Sequence, residues 1–343
     1  MRRLGSRRPR TINALLVGVS LLLGVGLGEI SLRLAGFRPL QESPERSAFW
    51  RYDPVLGWHH TPGHRGRFRM RDFDVAVSIN DQGLRDRDYP YERVPGKRRI
   101  LVLGDSFAWG FGVEQPACFT ELVERSLADV EVINAAVSGY STDQELLWLV
   151  NEGLKYRPDV VLLLVSGNDV AMNMTSLAYG VYYKPQFRCN AGGDLRWPLP
   201  PVPKAGMLRR SLFASRFHSS VAQLAFQSLD RLSERWFPID GGAAVALTLR
   251  LLEEISRRSE AIDARFLVVL HAGFWDSSVG RYDDFAAAVS RRFPETLDLG
   301  TLSEESRRVM TLRGNGHWNS IGHEWVARRV LDYLAEQGLQ RVP

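Results

Sequence analysis

The chain contains 343 residues, of which 45% are hydrophobic and 24% charged, a composition typical of a globular protein and not of a disordered or fibrous one. Five arginines stand in the first ten residues, and the other 39 of the 44 basic residues balance the 39 acidic ones. Because nucleic-acid binding requires a basic face that neutralises phosphates, this even balance removes nucleic acid from the expected partners.

The first predicted element is an uncharged stretch from Thr11 to Gly28, rich in Leu, Val and Gly. A helix rises about 1.5 Å per residue and the hydrocarbon core is about 30 Å thick, so this stretch spans a membrane only together with its amphipathic continuation, Ile30 to Leu34. The alternative is a cleavable signal peptide with small residues at Gly26-Leu27-Gly28, but an A-x-A site is missing. We therefore expect a retained single-pass anchor in a bacterial inner membrane. The arginines would stay in the cytoplasm, and the chain from about residue 37 would lie on the periplasmic side.

Two further parts are expected after the basic tail and anchor of residues 1–36. Residues 37–97 contain six prolines and only short apolar runs, which predicts an irregular, partly β lead-in segment. In residues 98–343, short runs that are apolar on both faces alternate with helical stretches, which predicts a doubly wound α/β fold with a parallel five-stranded sheet. An insertion of about residues 170–262, with a proline-rich patch and two helical stretches, separates the third run from the fourth. The predicted strands are Arg99–Leu103, Val130–Asn134, Val160–Val165, Phe266–Leu270 and Thr296–Leu299.

Polar residues follow several of these runs, at the sheet edge where the ligand crevice of an open α/β fold lies. Gly104-Asp105-Ser106 follows the first run, Ser138-Gly139 the second and Gly167-Asn168-Asp169 the third, while Gly316-His317 precedes the C-terminal helical stretch. Each motif alone is typical of a turn or a helix cap. Together they supply what acyl transfer needs: a serine, a base and several hydrogen-bond donors that converge on one oxyanion.

In this order the motifs resemble the four sequence blocks of the SGNH (GDSL-like) hydrolase family, over residues 98–337. The resemblance implies the flavodoxin-like SGNH fold and a serine esterase. Ser106 would attack the ester carbonyl, and His317 would take its proton and later protonate the leaving alcohol. The backbone N–H groups of Ser106 and Gly139, with the side-chain amide of Asn168, would form the oxyanion hole. No cofactor and no metal are expected, because the seven histidines are scattered and neither cysteine has a close partner.

The front of the chain resembles that of bacterial membrane-anchored SGNH proteins at Glu29–Leu34, Leu56-Gly57-Trp58 and Asn80–Arg85. We expect Arg85 to be solvated or salt-bridged. Cys118 and Cys189 could pair in an oxidising compartment, but two unpaired thiols fit the sequence at least equally well.

The histidine block departs from the family pattern, which usually places an aspartate two or three residues before the histidine. Asn315 and Gly314 occupy those positions here. A missing carboxylate leaves the tautomer of the ring unspecified and the imidazolium less stabilised. Three explanations stay open: Asn315 or a backbone carbonyl orients the ring, Asp298 or Glu304 supplies a carboxylate from elsewhere, or the protein is catalytically weak. His323 is a less favoured alternative base, because packing or hydrogen bonding at a helix start suits it better.

The sequence therefore predicts a serine-dependent hydrolase of O-acyl esters, chiefly acetyl esters, on an envelope carbohydrate or lipid. A carbohydrate O-acetyltransferase would use the same acyl-enzyme, with a sugar hydroxyl in place of water. A binding or assembly protein that keeps the fold without turnover is the third hypothesis, motivated by the missing aspartate. The sequence predicts no oligomeric state.

Overall fold

The structure is a computed structural model that describes residues 8–37, 49–179, 181–190, 192–215, 218–236 and 238–339. Arg2, Arg3 and Arg7, which are part of the predicted cytoplasmic tail, lie outside these ranges. The chain divides into two compact units, one formed by Met1–Glu42 with Gly206–Pro238 and the other by Ser43–Ala205 with Ile239–Pro343.

The helices and strands of both units are numbered together along the chain. In chain order the helices are α1 (Arg8–Leu34), α2 (Ser106–Trp109), α3 (Phe119–Arg125), α4 (Thr142–Asn151), α5 (Asp169–Met172), α6 (Met207–Ser215), α7 (Ser220–Trp236), α8 (Gly241–Glu260), α9 (Tyr282–Arg292), α10 (Glu304–Met310) and α11 (Ser320–Glu336). The strands are β1 (Trp50–Asp53), β2 (Gly57–His60), β3 (Arg65–Met70), β4 (Phe73–Ser78), β5 (Arg98–Leu103), β6 (Val130–Asn134), β7 (Val160–Ser166), β8 (Leu177–Ala178), β9 (Tyr182–Tyr183), β10 (Arg188–Cys189), β11 (Leu195–Arg196), β12 (Arg265–His271) and β13 (Thr296–Asp298).

A parallel five-stranded sheet with the order β13-β12-β7-β5-β6 lies at the centre of the second unit, which confirms the predicted fold class. Val102 in the middle of β5 pairs with Asn134 of β6 on one side and with Leu162 of β7 on the other. Successive side chains of a strand point to opposite faces, and here both faces are buried under helices, so the runs are mostly apolar. Arg99 of β5 and Glu131 of β6 are buried exceptions that pair with each other at 2.6 Å. The carboxyl ends of β5, β6 and β7 are therefore neighbours at one edge of the sheet.

The lead-in segment forms two antiparallel hairpins, β1–β2 and β3–β4. Arg85 follows them and is buried, contrary to the expectation of a solvated or salt-bridged side chain. Its guanidinium donates to the backbone carbonyls of Gly110 at 2.6 Å and Val113 at 2.7 Å, and it lies over the indole ring of Trp109. Because those carbonyls belong to the loop that follows α2, Arg85 fixes the chain directly behind the Gly104-Asp105-Ser106 motif.

The described part of the insertion contains three helices of more than one turn, α6, α7 and α8, where the sequence predicts two helical stretches. Its α6 and α7 belong to the first unit, whereas its beginning and α8 belong to the second. Lys184, near that beginning, forms a fully buried ion pair with Asp143 of α4 at 2.5 Å. The two cysteines are both free, with Cys118 buried and Cys189 exposed.

The first unit is helical where it is described. Its α1 contains Ile12–Leu34, a segment with mean hydropathy 2.1 that is long and apolar enough to cross a membrane. A signal sequence near the N-terminus would have the same two properties. The full helix of 27 residues is about 40 Å long, so charged Glu29 and Arg33 lie near one end of it.

Candidate active site

Ser106 and His317 lie within hydrogen-bond distance of each other, although 211 positions separate them in the sequence. Ser106 is the first residue of α2, directly after β5, and the carboxylate of Asp105 caps that helix by accepting from the N–H of Phe107 at 2.9 Å. His317 lies in the loop before α11. Its Nε2 is 2.7 Å from Oγ of Ser106, the separation expected between a nucleophile and its general base.

The side chain of Asn315 fixes the tautomer of the His317 ring. Its Oδ1 lies 3.0 Å from the backbone N of His317 and 3.0 Å from Nδ1 of the same residue. A backbone N–H can only donate, so the Asn315 atom that faces it must be the amide oxygen and not the amide nitrogen. The same oxygen then accepts from Nδ1, which carries the ring hydrogen. Nε2 therefore keeps its lone pair and can accept the proton of Ser106.

Aromatic rings hold the imidazole in place. The ring of Phe111 stacks on His317 with centroids 4.0 Å apart and planes at 17°, and Phe107 and Phe274 each lie 4.9 Å from it. Sequence analysis did not single out these three phenylalanines. Phe107 and Phe111 follow Ser106 closely, whereas Phe274 comes from the loop after β12 and carries no recognisable signal.

Asn168 lies beside Ser106 through a shared contact with Asp105. The Asp105 carboxylate receives a hydrogen bond from the Asn168 side chain, and its Oδ2 lies 3.5 Å from Oγ of Ser106. Burial raises the pKa of Asp105 to about 6, while the hydrogen bonds from the N–H of Phe107, from Ser166 and from Asn168 lower it and favour the ionised carboxylate. An ionised carboxylate only accepts, so the Asn168 atom that faces it is the amide nitrogen. That nitrogen has a second hydrogen, which can donate to a substrate oxygen.

A buried chain of hydrogen bonds ends at the carboxylate of Asp105. The N–H of Gly273 donates to Nδ1 of His271 at 3.1 Å, so the ring hydrogen of His271 is on Nε2, 2.7 Å from Oγ of Ser166. Ser166 in turn donates to Asp105 at 2.9 Å. Burial lowers the pKa of His271 to about 3, which keeps the ring neutral. The sequence carries no signal for this chain of hydrogen bonds, because His271 and Ser166 are the last residues of strands that otherwise consist mainly of core side chains.

Gly139, which follows β6 after a short loop, has φ +86°, a backbone conformation that glycine adopts without strain. A Cβ at this position would lie 3.0 Å from the hydroxyl oxygen of Tyr179. The position therefore requires glycine on two grounds, its backbone angle and the space left by the neighbouring ring.

The remaining candidates lie elsewhere. Asp298 accepts from the hydroxyl of Tyr282 at 2.6 Å and from the N–H of Gly300 at 2.7 Å, and Glu304 is an exposed side chain that pairs with Arg308. His323 is buried, its Nδ1 accepts from the N–H of Phe119, and burial lowers its pKa to about 3. These placements put Asn315, and neither of the two carboxylates, at the ring of His317.

An open cleft of about 660 Å³ adjoins the loop that carries His317. Three arginines contribute to its lining, and Asn315 and Gly316 connect it to the histidine. Within the described ranges, no group of three His, Cys, Asp or Glu side chains is arranged to hold a metal ion. The lining residues are Phe274, Arg307, Arg308, Thr311, Leu312, Arg313, Gly314, Asn315 and Gly316.

Residues 102–197 match the model of the GDSL-like lipase/acylhydrolase family, a segment that contains Ser106, Gly139 and Asn168. A search of the curated proteins finds no match to the chain. Solved structures similar to it include TesA, with 15% identity, 70% of this chain and 99% of that chain covered, and a TM-score of 0.42. The esterase EstA from Pseudoalteromonas sp. has 12% identity, coverages of 70% and 98%, and a TM-score of 0.42. The lipase/acylhydrolase from Enterococcus faecalis has 17% identity, coverages of 70% and 96%, and a TM-score of 0.36.

The TM-scores are below 0.5, so the assignment depends on the family model and on the residues of the motifs. The matched segment begins on β5, contains all of β6 and β7, and includes the polar residues that follow each of these strands. Over residues 102–197 the chain therefore matches the GDSL-like lipase/acylhydrolase family, whose members act on ester bonds.

Proposed function

We propose that the chain is a serine-dependent hydrolase in which Ser106 is the nucleophile and His317 the general base. The observation that carries the proposal is the 2.7 Å contact between Oγ and Nε2, together with the Nδ1–H tautomer that Asn315 imposes. A base whose lone pair already faces the serine hydroxyl needs no rearrangement before proton transfer.

The reaction would proceed through an acyl-enzyme. Ser106 attacks the ester carbonyl while His317 takes the hydroxyl proton, and a tetrahedral oxyanion forms. The N–H groups of Ser106 and Gly139 and the free amide hydrogen of Asn168 would donate to that oxyanion. His317 then protonates the leaving alcohol. In the second half a water molecule, deprotonated by His317, attacks the acyl-serine, and the acid product and the free serine result.

Asn315 supplies orientation without negative charge. In a related triad an Asp-to-Asn change costs about 10⁴ in turnover, chiefly because the wrong tautomer is stabilised. Here the tautomer is the productive one, so only the electrostatic support of the imidazolium is missing. This argues against a non-catalytic binding protein and for an esterase of reduced rate.

For the substrate we propose O-acyl esters, chiefly acetyl esters, of an envelope carbohydrate or lipid. Helix α1 would anchor the chain in the inner membrane and leave the esterase domain in the periplasm, a proposal that the length and apolarity of Ile12–Leu34 support. Transfer of the acyl group to a sugar hydroxyl would share the first half-reaction and differ only in the acceptor.

The test is turnover of p-nitrophenyl acetate by the full chain in detergent. We expect Ser106→Ala and His317→Ala to abolish it and Ser126→Ala, which changes an exposed serine after α3, to leave it unchanged. A fluorophosphonate should label Ser106 and no other serine by mass spectrometry. Equal turnover in all four proteins would refute the hydrolase proposal, and labelling at another serine would refute the assignment of the nucleophile.

A further inference from the structure

Helix α7 exposes a row of large apolar side chains. Leu229, Leu232 and Trp236 are spaced three and four residues apart, so they share one face of the helix, and they are 61%, 50% and 74% exposed. The charged residues in the α7 sequence occupy none of these positions. An apolar face of this kind on a helix next to an apolar anchor needs a partner.

Helix α6 repeats the pattern on a smaller scale. Met207, Leu208 and Leu212 are 83%, 75% and 53% exposed, and Arg209 and Arg210 stand between them in the sequence. The segment Gly206–Pro238 contains five arginines and two acidic residues. Exposed apolar side chains combined with excess positive charge are the features of helices that lie on anionic lipid surfaces.

The start of α7 is fastened to one end of α1, within the first unit. The Glu29 carboxylate accepts from the backbone N–H groups of Ser220 at 3.0 Å and Val221 at 3.1 Å, and from Oγ of Ser219 at 2.9 Å. Arg33 holds the same carboxylate at 2.6 Å and reaches the carbonyl of His218 at 3.0 Å. A carboxylate at a helix N-terminus satisfies orphan N–H groups and interacts favourably with the helix dipole.

This cap attaches the start of α7 at Glu29, the first charged residue after the uncharged stretch Thr11–Gly28 and five residues before the end of α1. Val221 packs at Gly28, one residue before Glu29, and on a helical projection Val221 falls on the same side of α7 as Leu229, Leu232 and Trp236. The apolar face of α7 therefore continues from the surface of the anchor. An apolar helix that spans a membrane would hold that face at the level of the lipid headgroups.

We propose that α6 and α7 lie in the membrane–water interface, with Leu229, Leu232 and Trp236 inserted among the lipids. The partner is an anionic bilayer surface. The inference goes beyond the proposed esterase activity and rests on the proposed anchoring by α1. An interfacial helix buries its apolar face about 5–10 Å into the boundary between headgroups and acyl chains.

Site-directed spin labelling of the full chain in vesicles tests the proposal. The background variant is Cys189→Ser, since Cys118 is buried and protected from labelling. Labels are placed at Leu232→Cys on the apolar face and at Gln227→Cys on the opposite side of α7, which is the matched control. Leu22→Cys in α1 reports the anchor. The vesicles contain phosphatidylethanolamine with phosphatidylglycerol as the minor lipid.

We expect the label at Leu232 to be accessible to oxygen and protected from a water-soluble nickel complex, at a depth of about 5–10 Å, while the label at Gln227 reacts with the nickel complex. Equal nickel accessibility at the two positions, with the label at Leu22 protected, would overturn the proposal and leave the anchor intact. Spin–spin broadening at Leu232 that disappears on dilution with unlabelled protein would overturn it in favour of a second copy of the chain. Esterase activity in the same vesicles is read separately, so a failure of the catalytic proposal stays distinguishable.

Discussion

Replacement of Asn315 by aspartate should accelerate the enzyme. In the wild-type chain the amide oxygen orients the imidazole at 3.0 Å, but it carries no formal charge to stabilise the imidazolium that forms during attack. A carboxylate at the same position would keep the orientation, because its oxygen still accepts from Nδ1 and from the backbone N–H of His317. The variant therefore isolates the contribution of charge at this site.

The surroundings of Asn315 limit the increase in kcat that the aspartate can produce. Two unit charges 3 Å apart attract each other by about 1.4 kcal/mol at the dielectric constant of water and by about 5.5 kcal/mol at an effective value of 20. The side chain is half-buried, and the atom that would become the second carboxylate oxygen, Nδ2, is buried with no hydrogen-bond partner among the residues that the structure describes. The cost of desolvating that oxygen offsets part of the attraction. We expect a net gain of about 1–2 kcal/mol, which corresponds to about 5–30-fold in kcat.

The measurement is kcat for p-nitrophenyl acetate in the wild type, Asn315→Asp and Asn315→Ala, with thermal unfolding to show that all three are folded. Asn315→Ala should lose at least about tenfold, because the ring is then free to adopt the other tautomer. The reasoning is refuted if Asn315→Asp is no faster than the wild type, or if Asn315→Ala matches it. The second result would mean that the aromatic rings alone orient His317.

Four further outcomes are expected. Asn168→Ala should lower kcat by about 10²–10³-fold with little change in KM, since the lost donor acts only on the oxyanion, and a loss below tenfold would contradict its role. Gly139→Ala should lower both kcat and the melting temperature, and Tyr179→Ala should restore part of the loss by removing the ring that the new Cβ meets; no rescue would show that backbone strain dominates. Arg313→Gln should raise KM for an anionic acetyl ester and leave KM for a neutral one unchanged, because the cleft beside the active-site loop is lined by arginines. Burial holds His323 neutral in the folded chain, with its pKa at about 3, whereas the unfolded chain binds a proton at this residue below about pH 6.5. The free energy of unfolding therefore keeps its full value above pH 6.5 and decreases as the pH falls toward 3. In urea titrations His323→Gln should therefore reduce the loss of stability between pH 7.5 and pH 5 by about 2 kcal/mol, and an unchanged loss would refute the assignment.

The sheet could be predicted because its strands are buried on both faces, so that Val160–Val165 is apolar without interruption and the other runs are mostly apolar. The positions of Ser106 and Asn168 followed from the same property, since a polar residue soon after such a run lies at the carboxyl edge of the sheet. Gly139, five residues after β6, required the resemblance to a family block. The same holds for His317, because no strand leads into its loop. Its identification required the resemblance to a family block and not the periodicity of the chain.

Contacts between residues distant in sequence could not be predicted. Arg85 is a charged residue in a polar segment, and its burial becomes intelligible only when four backbone carbonyls are seen to surround its guanidinium. The stacking of Phe111 on His317 and the approach of Phe274 depend on how three loops meet. The separation of α6 and α7 from the rest of the insertion likewise depends on packing against α1, which a local pattern does not encode.

Each of the two asparagines of the site is oriented by a neighbouring group that can act only as a hydrogen-bond donor or only as an acceptor. At Asn315 a backbone N–H, which must donate, selects the amide oxygen. At Asn168 an ionised carboxylate, which must accept, selects the amide nitrogen. The second selection depends on Asp105 remaining ionised, and the hydrogen bonds from Ser166 and the N–H of Phe107 both favour that state against the effect of burial. The orientation of Asn168, the proposed oxyanion donor, is thus linked to the buried Ser166 and through it to His271, so substitutions of these two residues should affect kcat without touching the substrate.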